Sequence, residues 1–116
     1  MRLNRGDILW ADLDPTRGRE QRGRRPVLVI SSREYLESIP DLVVTLPITS
    51  VSRRLLHHIP LEGAPTGLSQ KSYVMTEQPR TVATERLAGS IGFASPQTML
   101  QVDSWLADFL SLRLPA

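Results

Sequence analysis

With 116 residues, 41% of them hydrophobic and 22% charged, the chain has the size and balance of one ordinary globular domain and lies outside the disordered classes. No apolar stretch approaches the roughly 18 residues that cross a bilayer, and the absence of cysteine removes disulfides, thiolate zinc sites and thiol nucleophiles together. The net charge of +2 conceals an asymmetry: over residues 1–33, Arg2, Arg5, Arg17, Arg19, Arg22, Arg24, Arg25 and Arg33 stand against only Asp7, Asp12, Asp14 and Glu20.

The first strand signal is Asp7 to Leu13, followed by a long polar loop, Asp14 to Arg24, that carries Gly18 and Gly23. Pro26 to Ser31 reads as a strand apolar on both faces, Val27 and Val29 against Leu28 and Ile30, which predicts a central, doubly covered position. After a short polar or helical connection, Ser32 to Pro40, a third strand runs from Asp41 to Thr49. Leu42, Val44, Leu46 and Ile48 share one face of it, and Thr45, Pro47 and Thr49 the other. Pro47 cannot donate to a ladder, so the end of this strand is expected at an edge or bulge.

Short strands follow at His58 to Leu61, Ser72 to Met75, Thr81 to Ala83 and Ser90 to Phe93, spaced as in a small barrel. The last element is a helix: Ser95 is placed to cap it and Pro96 fits its first position. Met99, Val102, Leu106, Phe109 and Leu110 form the stripe, Asp108 and Arg113 face water, and Pro115 closes it. No repeat or linker divides the chain, so one domain over residues 1–116 is expected, mostly β with a C-terminal helix. The basic start runs into Asp7 with no small-residue cleavage site, so the expected location is the cytoplasm, away from membranes.

All but Lys71 of the 14 basic residues are arginine, whose planar fork of donors fits phosphate, so a polyanionic partner is inferred. If the strands 26–31 and 41–49 are antiparallel neighbours, Thr49 approaches Arg25, and the loop carrying Glu20 enters the same strand start. A carboxylate, a guanidinium and a hydroxyl then meet at one rim. RNA is cleaved without metal when its ribose 2′-hydroxyl attacks the adjacent phosphorus. Glu20 would accept the proton, Arg25 would neutralise the crowded phosphorane, and Thr49 would orient a non-bridging oxygen. Each residue alone also fits an ordinary role in a solvated loop or at a strand end; the convergence is what points to a site.

Several blocks carry a resemblance: Arg5-Gly6-Asp7-Ile8-Leu9-Trp10-Ala11-Asp12-Leu13-Asp14-Pro15, Gly18-Arg19-Glu20, Arg25-Pro26-Val27-Leu28-Val29-Ile30, Pro47-Ile48-Thr49-Ser50 and Glu77-Gln78-Pro79-Arg80-Thr81, in that order. Together with the closing helix they resemble the MazF/PemK family of toxin–antitoxin endoribonucleases over essentially the whole chain. The resemblance implies an SH3-like barrel of the CcdB/PemK type and a homodimer with single-stranded RNA across the subunit interface. It implies cleavage at short preferred sequences without metal or other cofactor, and a MazE-like antitoxin whose acidic, partly disordered segment occupies the RNA groove. By motif, Arg25 and Thr49 match the family's catalytic Arg and Thr, and Glu20 matches its nearby loop acid. Arg17, Arg19, Arg24, Ser50, Arg53, Glu77, Gln78 and Arg80 are the expected RNA contacts.

Outside those blocks, His57 and His58 are expected in an exposed loop without a catalytic role. Two adjacent histidines without a nearby carboxylate cluster make a poor metal site, and none is expected. Trp10 is expected in the core. Trp105 sits off the main stripe, where it would serve either a partner contact or half-buried packing. Glu77 and Arg80 could pair and support the site from a neighbouring strand, or touch RNA directly. Pro79, where the family usually has an aliphatic residue, removes a backbone donor and is expected to loosen the local strand. Two other functions share these features: a toxin of the same fold that binds a protein target without cutting RNA, and a module that only binds nucleic acid.

Overall fold

The computed structural model describes residues 2–13 and 23–112, so the expectations placed on Arg17, Arg19, Glu20, Arg113 and Pro115 lie outside the described residues. Among the described residues the strands are β1 Asp7–Asp12, β2 Arg24–Val29, β3 Leu42–Thr49, β4 His58–Leu61, β5 Ser72–Met75, β6 Arg80–Ala83 and β7 Leu87–Phe93. A short helix, α1 Arg33–Ser38, links β2 to β3, and α2 Pro96–Leu110 follows β7. The strands run antiparallel in the order β4-β5-β3-β2-β1-β7, with β6 also on β3.

β2 is central, between β1 and β3, as its two-sided apolar pattern predicts: Leu28 enters the core beneath α2, while Val27 and Val29 enter a second core with Leu9, Ala11, Leu13, Val43, Val82 and Leu87. It starts two residues earlier than expected, at Arg24. β3 is the pivot of the sheet. One edge pairs with β2; the other pairs first with β6, as far as Thr45↔Arg80, and then with β5 from Ile48↔Val74. Pro47 is therefore neither at a free edge nor at the strand's end. It lies opposite Val27, in the break between the β6 and β5 ladders, where a missing donor is tolerated. The alternation read along β3 holds for Leu46 and Ile48. Nearer the start it is overridden, because Val43 and Thr45 are buried in the second layer while Leu42 and Val44 are only half covered.

Trp10 is not a core residue; it is 37% exposed. Register shifts in the β1–β7 pairing break the alternation between Ile8 and Leu9 and again between Trp10 and Ala11, and the cross-strand partners of Trp10, Pro26 and Gly89, offer little surface to cover an indole.

At the start of α2 the Ser95 hydroxyl accepts the Thr98 N–H at 3.1 Å and Pro96 takes the first turn. Met99, Val102 and Ala107 are buried, with Trp105 and Leu106 packed against the same core. Trp105 thus belongs to the packed face. Phe109 and Leu110 do not; the last turn leaves them exposed before Ser111 ends the helix in a left-handed conformation. Among the described residues no helix is long and apolar enough to cross a membrane.

The 3-10 turn Ala64–Thr66 is clasped onto β7 with no room for side chains between them. A Cβ at Gly92 would sit 2.3 Å from the Pro65 carbonyl oxygen, and one at Gly67, whose φ is +68°, would sit 2.0 Å from that of Ile91. Gly92→Ala is accordingly expected to cost about 1–3 kcal/mol, read as a lowered urea midpoint at unchanged slope. A midpoint equal to wild type would show that the turn yields without cost.

Candidate active site

The Val27↔Pro47 and Val29↔Thr45 pairs of the β2–β3 ladder determine what lies at its open end. Side chains two apart share a face, so Arg25 continues the row of Val27 and Val29, and Thr49 continues the row of Thr45 and Pro47. One further step of the same register sets Arg25 across from Thr49. Arg25 is exposed and has no side-chain partner among the described residues, whereas Thr49 is 8% exposed. The Thr49 hydroxyl oxygen accepts the Val51 N–H at 3.1 Å, which leaves its own proton free to donate.

The same face opens into a cleft of about 790 Å3. Val27, Thr45, Pro47 and Leu13 line it from the sheet, Arg53 and Leu55 from the loop after β3, and His58, Met75, Glu77, Gln78, Pro79 and Arg80 from β4, β5 and the turn into β6. The Thr45 hydroxyl donates to the Arg80 carbonyl at 2.9 Å, anchoring that turn to the floor. Of the sequence-predicted contacts, Arg53, Glu77, Gln78 and Arg80 line the cleft. Arg24, Arg25, Thr49 and Ser50 are not among its lining residues. A second cleft of about 600 Å3, between the chain start, α1 and the 84–87 segment, holds none of the predicted site residues.

Three expectations need correction here. Pro79 does not loosen a strand, because it precedes β6 in an exposed turn where no ladder donor is required. Glu77 does not pair with Arg80; its carboxylate takes His58 Nε2 at 3.0 Å, His57 Nε2 at 3.5 Å and the Gln78 amide at 3.3 Å. The histidines are correspondingly not a free surface pair. His58 is 5% exposed and opens β4 opposite Met75, so the strand pairing delivers a carboxylate 19 residues away to its ring. Nothing local in the sequence signals that contact.

Desolvation pushes the Glu77 carboxyl toward a higher pKa. Hydrogen bonds from His58, from its own backbone N–H and from Gln78, with the charge of His58, outweigh it and hold the group below the ordinary carboxylate range. Glu77 is thus an anion at neutral pH, set among arginines that suit phosphate.

Residues 4–110 match the family described as PemK-like, MazF-like toxin of type II toxin–antitoxin system. The chain is 33% identical over 113 residues to endoribonuclease EndoA of Bacillus subtilis, covering 97% of each. It is 32% identical over 111 residues to endoribonuclease MazF of Staphylococcus epidermidis, covering 95% of this chain and 92% of that one. Its fold superposes on a MazE–MazF crystal structure from Deinococcus radiodurans with a TM-score of 0.79 at 25% identity, over 96% of this chain and 97% of that one.

Proposed function

The chain belongs to the PemK-like, MazF-like toxin family of type II toxin–antitoxin systems, and from that premise we propose that it is a sequence-selective endoribonuclease that cuts single-stranded RNA without a metal ion. The observation that supports this reading is the β2–β3 register, whose continuation past the cleft-lining Val27↔Pro47 pair would bring Arg25 and Thr49 together.

The ribose 2′-hydroxyl attacks the adjacent phosphorus, its proton passing to Glu20 as general base. The Arg25 guanidinium donates two parallel hydrogen bonds to the non-bridging oxygens as charge builds on them, and the Thr49 hydroxyl donates to one of the same oxygens. The bond from phosphorus to the 5′ oxygen breaks as that oxygen takes a proton from solvent water, giving a 2′,3′-cyclic phosphate and a free 5′-hydroxyl. Arg17, Arg19, Arg24, Arg53 and Arg80 track the backbone with Ser50. Glu77 and Gln78 serve a different need: a carboxylate repels phosphate but accepts from amino groups on base edges, so this pair reads sequence.

The active form is a homodimer with RNA lying across the subunit interface, and the single domain over residues 1–116 acts in the cytoplasm. A MazE-like antitoxin inhibits it by laying an acidic segment over the arginines of the cleft, a complementarity that both holds and orients such a partner.

The deciding assay incubates the protein with mixed RNA in excess chelator and maps the new ends. New termini bearing cyclic phosphate are the expected result; RNA left intact would instead indicate a toxin acting by binding alone. Thr49→Val keeps the β-branched shape and removes the donor, so cleavage is expected to slow roughly tenfold, the weight of one neutral hydrogen bond. A rate unchanged by that substitution would take Thr49 out of the chemistry.

A further inference from the structure

The cluster formed by His57, His58 and Glu77 is not used by the chemistry at Arg25 and Thr49, and its donor set has a chemistry of its own. We propose that these three residues form a binding site for one divalent transition-metal ion of the zinc class, in the wall of the cleft. The proposal does not depend on the ribonuclease reading, since metal uptake is measured directly.

Geometry is the first support. One donor atom from each residue lies within 4.8 Å of the other two. A tetrahedral ion bonded at about 2.0–2.1 Å holds its ligands roughly 3.3–3.4 Å apart. His58 Nε2 lies 3.0 Å from Glu77 Oε2 and His57 Nε2 3.5 Å from Glu77 Oε1, each close to that edge, with the two histidines on different oxygens of the one carboxylate. Two imidazoles and one carboxylate suit zinc, nickel or copper; calcium and magnesium prefer an all-oxygen shell.

The second support is that the ligands are already held. The His58 backbone is fixed opposite Met75 in the β4–β5 ladder. The buried Thr76 hydroxyl donates to the His57 carbonyl at 2.6 Å, tying the two ligand segments together beside Glu77. From α2, Trp105 and Phe109 meet the His57 ring edge-on at centroid distances of 5.8 and 5.6 Å and pack against one side of it. Side-chain exposure is 33% at Glu77, 25% at His57 and 3% at His58, and Glu77 and His58 line the cleft.

The other ring nitrogen, His58 Nδ1, is buried with no hydrogen-bond partner among the described residues, and an ion held at Nε2 would leave it so. Three protein donors leave a fourth position open toward the cleft for water. An ion here would join the loop bearing Arg53 to the turn bearing Gln78 and Arg80, stiffening two cleft-lining segments at once.

Untagged, chelator-stripped protein titrated with Zn2+ alone is expected to take up one ion per chain and, at about a hundredfold excess over the dissociation constant, to gain roughly 5–10 °C in melting midpoint. Co2+ in the same site should give the visible absorption of a tetrahedral ion. His57→Ala and Glu77→Gln each remove a partly exposed ligand and should weaken uptake about a hundredfold or more, beyond the loss seen for outer-shell partners. No saturable uptake by wild type, or wild-type affinity in both variants, would overturn the proposal.

Discussion

Arg25→Ala is expected to lower the single-turnover rate of RNA cleavage roughly a hundredfold or more, a loss of about 2.7 kcal/mol of transition-state stabilisation, with a far smaller change in RNA affinity. The asymmetry follows from where the charge goes. A phosphodiester already carries one negative charge on its non-bridging oxygens, and the phosphorane adds more. A guanidinium fixed at the end of a strand therefore gains most as the reaction proceeds. Ground-state attraction is shared with Arg24, Arg53 and Arg80, so removing one arginine of several costs little binding. Arg25→Lys sharpens the test: it keeps the charge but loses the planar fork, and its rate should fall between the two. If Arg25→Ala cleaves within a few-fold of wild type, or loses affinity and rate together, the residue is a phosphate anchor and the clamp lies elsewhere.

The parts of this site that are legible in the sequence are those set by short-range pattern. The run Val27 to Ile30 announces a buried strand; alternation along β3 puts Thr49 opposite Leu46 and Ile48; and the short link through α1 makes the two strands antiparallel neighbours. Those three inferences give the β2–β3 pairing, whose observed register ends one side-chain step short of Arg25 and Thr49. The cap at Ser95 was equally readable, because a helix start is a local event. What escaped was tertiary. Trp10 is exposed through two register shifts in the pairing with β7, and such irregularities leave no trace in β1 itself. Phe109 and Leu110 fit the helical period and are nonetheless exposed, since period alone does not say where a neighbouring sheet stops. His58 and Glu77 meet because β4 and β5 pair, across 19 residues that include a 3-10 turn. That one unforeseen contact changes the reading of the histidines, from a solvated loop to a partly buried cluster with a carboxylate at its centre.

Leu46→Ala should produce the other large effect, this time on stability. Leu46 is fully buried, pairs with Leu28 across the β2–β3 ladder and packs in the core that Met99 and Val102 close from α2. Truncating it removes apolar burial and leaves a cavity between a sheet and a helix that are both anchored elsewhere: the helix by its Ser95 cap and by the Arg5–Asp103 pair, the sheet by its ladders. Neither can collapse far into the space, so a loss of about 2–5 kcal/mol is expected, a large share of the 5–15 kcal/mol that typically separates folded from unfolded. Thermal denaturation should show it as a fall on the order of 10 °C. The substitution also tests the division of labour along β3, because Leu46 points to the core while its neighbours Thr45 and Pro47 face the cleft. At a temperature where the variant remains folded, the cleavage rate per folded molecule should match wild type. A rate depressed as far as that of Arg25→Ala would mean that the ladder end depends on the packing beneath it, and that the two faces of this strand do not act separately.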